Sequence, residues 1–144
     1  MRSVLHYLGE NGVTPFLRHL RDQAKEGEFF LHQSASFDNE NDSACLNDLY
    51  RHMRTHKWYP TVNDLTKRLA DSGWRVIATT PAPTLLLTSD DLGLRYALNT
   101  NDLVRIRDTM ARAFGEMNSV FQITPSGFQA NLHYHIYTCV AVPL

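Results

Sequence analysis

The pair His133 and His135, separated by Tyr134, carries more chemistry than any other short stretch of this 144-residue sequence. On a β-strand the period of two puts both imidazoles on one face, roughly 6–7 Å apart. Such a pair can start a metal site if a third ligand arrives from elsewhere. His6, His32, Asp38 and Asp42 are the candidates for that ligand. The pair can equally serve as an acid–base or ligand-binding group. Two imidazoles fall short of the three or four ligands that zinc takes, so neither a bound metal nor a cofactor is expected.

The His-x-His spacing resembles the paired histidines of HUH nucleases and rolling-circle replication proteins. Those families place a nucleophilic tyrosine on a later helix. Here nine residues follow His135, and the tyrosine among them, Tyr137, lies on the same strand. Cys45 offers a second chemistry. It follows Ser43 and Ala44 at an expected helix N-terminus, where the helix dipole favours a thiolate. With His133 or His135 it resembles a papain-like Cys–His hydrolase. No glycine flanks Cys45, and no Asp or Asn follows the histidines to orient them. Cysteine is also among the residue types most often buried. Arg51 and His56 have the spacing of a HEPN ribonuclease motif, but that family is all-helical. Thr61 to Leu65 resembles the opening of a helix-turn-helix, yet a strand pattern, Trp74 to Ile77, replaces the recognition helix.

Composition narrows the classes. Fourteen Lys and Arg against fifteen Asp and Glu give a net charge of −1, which disfavours a strongly basic nucleic-acid binder. No window is apolar enough to span a bilayer, and the first residues show no secretory signal. Two cysteines without a CxxC pattern suit reduced thiols and a cytoplasmic setting. P-loop, GxGxxG, HExxH and GxSxG motifs are absent.

These residues must be positioned by a single compact α+β domain over residues 1–144. The pattern predicts a strand over Val4 to Leu8 and a helix opening at Thr14-Pro15. A strand follows over Phe29 to Phe37. A helix capped by Ser43 carries Leu46, Leu49, Tyr50 and Met53 on one face, and a second helix is capped by Thr61. Trp74 to Thr80, Thr84 to Thr88 and the alternating Leu92 to Leu98 read as three strands. The stripe Leu103, Ile106, Met110, Ala113, Phe114 and Met117 marks the best helix. Val120 to Ile123 and Phe128 to Val142 form a closing hairpin, with even-numbered residues facing the core. The order is β-α-β-α-α-β-β-β-α-β-β. It implies a mostly antiparallel sheet of about five to seven strands under about four helices.

The functional expectation is a small, soluble, non-enzymatic protein-binding module of adaptor or inhibitor type. Trp58, Tyr59, His133, His135 and Tyr137 would meet the partner. The alternatives are the Cys45 hydrolase and a nucleic-acid-binding protein. The long, uncharged last strand, read as a sheet edge, predicts a homodimer.

Overall fold

The computed structural model describes residues 1–143. After a 3-10 turn at Leu5–Leu8 come α1 (Gly9–Gln23), β1 (Phe29–Ala35), α2 (Glu40–His52) and α3 (Val62–Asp71). Then follow β2 (Trp74–Thr88), α4 (Ser89–Tyr96), α5 (Thr100–Phe114), β3 (Phe121–Thr124) and β4 (Gly127–Ala141). The described residues therefore hold four strands and five α-helices, not five to seven strands and four helices.

β4 is central. β1 pairs with one side of its C-terminal half, from Tyr134 to Val140, and β3 with the same side at its start. β2 pairs with the other side from Gln129 to Ala141. All these pairings are antiparallel, so β1 and β2 run parallel to each other, with α2 and α3 as their crossover. The last strand is thus an interior one, its backbone groups satisfied on both sides. The open edge that motivated a homodimer does not exist on β4.

Side chains of β4 are buried in a pattern that changes parity. Phe128, Ala130, Leu132 and Tyr134 point into one cluster with Phe37, Leu46, Leu49 and Met110. From there on the odd residues Tyr137, Cys139 and Ala141 enter a second cluster with Leu17, Leu65, Leu69 and Trp74. Successive residues of a strand face opposite sides, so α2, α4 and α5 cover one face at one end, and α1 and α3 the other face at the other end. The even-face expectation holds only as far as Tyr134. Beyond it that face is open, with Phe29, Leu31 and Ile77 exposed.

Four expected strands take other forms. Val4 to Leu8 becomes a 3-10 turn that buries Leu5 and His6. Trp74 to Thr80 and Thr84 to Thr88 fuse into one strand through Pro81-Ala82-Pro83. The prolines are tolerated because β2 pairs with β4 alone, leaving their missing N–H groups on a free edge. The register slips between Ala82 and Leu85. Leu92 to Leu98 is helix α4, nucleated by a capping box. The Thr88 hydroxyl accepts from Asp91 N at 3.2 Å, and the Asp91 carboxylate accepts from Thr88 N at 3.0 Å. Leu94 is 87% exposed, so the alternating leucines never faced one core.

Helix α1 also begins earlier than expected, at Gly9, with Pro15 inside it. The Thr61 cap is present, its hydroxyl accepting from Asp64 N at 3.0 Å. α5 buries Ile106 and Met110 completely in the first cluster. Met110→Ala is expected to cost about 2–5 kcal/mol in urea denaturation through the cavity it leaves. A cost below about 0.5 kcal/mol would show that α5 is peripheral to the sheet.

Candidate functional site

At the carboxyl end of β1 the chain turns through Ser36, Phe37 and Asp38 into α2. The N-cap is Asn39 rather than Ser43, its side chain accepting from Asp42 N at 2.8 Å. Ser43 lies one turn inside the helix and donates instead to the Tyr59 carbonyl at 2.6 Å. This turn brings Ser36 and Asp38 against His135 of the neighbouring strand. His135 Nδ1 lies 3.1 Å from the Ser36 carbonyl and 3.2 Å from its hydroxyl. His135 Nε2 lies 3.4 Å from Asp38 Oδ1.

The hydrogen bonds fix the proton directions. The Ser36 hydroxyl donates to the Ser34 carbonyl at 3.2 Å and accepts from the Tyr137 hydroxyl at 2.8 Å. Its one proton is spent, so Nδ1 of His135 is the donor toward Ser36. Nε2, on the Asp38 side, donates to the carboxylate when protonated and keeps a lone pair in the neutral ring. Ser, His and Asp therefore meet in one chain of contacts, but Ser36 is fully buried and cannot reach a substrate as a nucleophile. Asp38, His133, His135, Pro81 and Thr84 line a pocket of about 240 Å³. His133 is half-buried on the same face as His135, its ring 5.5 Å from that of Phe37.

The other predicted site residues are distributed differently. Cys45 is fully buried, and burial pushes its thiol up to about 11. Tyr59 is buried too, its N–H given to Asn47 Oδ1 at 2.7 Å. Trp58 is half-buried beneath the Arg68 guanidinium, 4.2 Å from its ring centre. Tyr137 stacks on His32 at 4.8 Å inside the second cluster. Arg51 pairs with Asp48, as does His52 at 3.5 Å. Among the described residues no group of three His, Cys, Asp or Glu could hold a metal ion. No helix among them is long and apolar enough to cross a membrane.

Sequence reasoning missed two features. A cleft of about 710 Å³ runs between the start of α1 and the α2–α3 connection, lined among others by Glu10, Glu40, Asn47, His56 and Lys57. Beside it Tyr7, Tyr50 and Tyr96 converge from three separate elements. No sequence signal links residues so far apart.

No family model matches the sequence, and no curated protein matches it. Solved structures do. A proposed methyltransferase of Bacillus halodurans C-125 superposes with a TM-score of 0.76 at 14% identity, covering 99% of this chain and 68% of that one. The YcgJ protein of Bacillus subtilis gives 0.70 at 12% identity, covering 99% and 62%. The chain thus spans about two thirds of these neighbours. At such identities the likeness is one of fold, and the chain has a methyltransferase-like α/β fold. That fold replaces the expected α+β class. It points away from a non-enzymatic binding module and from a Cys45 hydrolase, and it lends no support to a homodimer.

The buried histidines give the site surroundings a pH signature. His6 and His32 are held down to about 4, mainly by burial, with Lys57 and the N-terminus respectively adding repulsion. Among the described residues His6 Nδ1 and His32 Nε2 have no hydrogen-bond partner. In the unfolded chain both rings titrate near the ordinary value of about 6.5. Their stability contribution is complete above that value and is lost as pH falls toward 4, because the unfolded state takes up protons that the native state refuses. The urea midpoint should therefore drop between pH 7 and pH 4.5, and His32→Phe should flatten part of the slope. A slope unchanged in that variant would contradict the assignment.

Proposed function

We propose that this chain acts in methyl transfer to a small organic acceptor, which it binds at the carboxyl end of β1, with His135 as the base that takes the acceptor's proton. The observation that carries the reading is the His135–Asp38 pair at the rim of the pocket beyond β1. Ligands of open α/β sheets sit outside the carboxyl ends of the strands, and this pocket occupies such a place. The methyltransferase-like fold supports the choice of reaction.

His135 suits proton transfer. Ser36 fixes Nδ1 as the protonated nitrogen, and Tyr137 holds the Ser36 hydroxyl in turn. Nε2 is left to accept a proton from an acceptor hydroxyl or amine in the pocket. Asp38 then stabilises the imidazolium through the contact at 3.4 Å. Asp38 is itself exposed, so the proton has a route to solvent.

The methyl donor implied by the fold is S-adenosylmethionine, whose sulfonium supplies an electrophilic methyl group when bound. The described residues do not match the usual cradle for a nucleoside cofactor. The β1–α2 turn, Ser36 to Asn39, contains no glycine, and the sequence has no G-x-G.

Weak donor affinity follows, so the test is a label-transfer assay at millimolar methyl-labelled S-adenosylmethionine with a panel of small amines and alcohols. Transfer is expected, and His135→Gln should lower it by about 10²-fold or more while leaving the fold intact by circular dichroism. Absence of transfer to every acceptor would contradict the reading.

A further inference from the structure

The Lys57 ammonium sits in an unusual place for a lysine. Its Nζ lies 4.5 Å from the ring centre of Tyr7, 4.9 Å from that of Tyr96 and 5.6 Å from that of Tyr50. Among the described residues it forms no ion pair. Its Nζ donates to the Tyr96 hydroxyl, and the Tyr7 hydroxyl is a second hydrogen-bonding neighbour. Each ring comes from a different part of the fold: Tyr7 from the 3-10 turn, Tyr50 from α2, Tyr96 from the last residue of α4. Lys57 itself belongs to the irregular connection between α2 and α3.

Two of the three rings are packed against other side chains. Tyr50 is buried and meets Tyr96 edge to face at 5.9 Å and Tyr59 at 4.6 Å. Tyr7 is 64% exposed and forms the open wall. Lys57 also lines the 710 Å³ cleft, so withdrawing its side chain opens the ring cluster to that space. Ring faces attract any cation. An –NH₃⁺ group carries three donors, however, and ring faces satisfy them poorly. A methylated ammonium has few or no N–H groups to satisfy. Arg95 is a neighbouring cation that repels the Lys57 ammonium, and replacing one monovalent cation with another leaves that repulsion unchanged.

We propose that Tyr7, Tyr50 and Tyr96 form a cage for a methylated alkylammonium ligand, and that Lys57 holds the place until the ligand arrives. The inference goes beyond the methyl-transfer reading, because the cage shares no residue with the pocket that His135 and Asp38 line. Binding to the cage needs no methyl donor, so the two can fail separately.

The test is titration calorimetry with choline chloride against sodium chloride controls, on the wild-type protein and on Lys57→Ala. Lys57→Ala is expected to bind choline about tenfold more tightly than wild type, because the internal competitor is gone. The neutral isostere 3,3-dimethylbutan-1-ol should bind at least about fivefold more weakly than choline. Adding Tyr7→Leu, on the exposed wall where folding is not at risk, should remove the gain. No choline binding by Lys57→Ala, equal binding of the isostere, or an undiminished affinity after Tyr7→Leu would each overturn the proposal. Choline binding without methyl transfer would keep the cage and remove the reaction. Methyl transfer to alcohols without choline binding would do the reverse.

Discussion

The structure depends on one strand paired along both sides. β4 runs for fifteen residues through the middle of the sheet, and every other strand bonds to it. Its two faces are sealed at opposite ends by different helices, so a single run of backbone ties two separate apolar clusters together. Neither cluster is closed without β4. The parity change at Tyr134 and His135, where both successive side chains are buried, marks the seam between them. The candidate base stands at that seam, on the rigid part of the sheet rather than on a loop, which favours a fixed proton-transfer geometry.

β1 and β2 run parallel, linked by a helical crossover, yet neither touches the other because β4 lies antiparallel between them. This explains why a local reading of hairpins and alternation suggested an antiparallel α+β domain. The pairings are antiparallel one by one, while the connection from β1 to β2 is that of an α/β unit. Strand order is a long-range property, and the Phe29–Val140 pairing spans most of the chain.

Elements with strong local signals were legible: the Thr61-capped helix, the apolar stripe of α2, the first part of the α5 stripe and the closing hairpin, whereas Ala113 and Met117 of that stripe are exposed and Met117 lies beyond the helix end. The errors have physical causes. Leu92, Leu94 and Tyr96 alternate, but the Thr88–Asp91 capping box commits that segment to a helix. Pro81 and Pro83 suggested a break, but an edge strand has no use for their missing N–H groups. The apolar C-terminal half of β4 read as an exposed edge because its flanking strands lie at least fifty residues away in sequence. At the site, His133 and His135 were visible as a pair on one face. The partners that give His135 its direction, Ser36 and Tyr137, were not read as such, and the tyrosine cage is assembled from three elements with no motif at all.

The central claim is that β4 joins the two clusters into one cooperative unit. Native-state hydrogen exchange along Gly127–Ala141 tests it most directly. The account predicts that interior amides of both halves are the slowest in the molecule and exchange through the same global opening. Fast exchange in one half of β4, with the other half still protected, would show two independently opening clusters and contradict it.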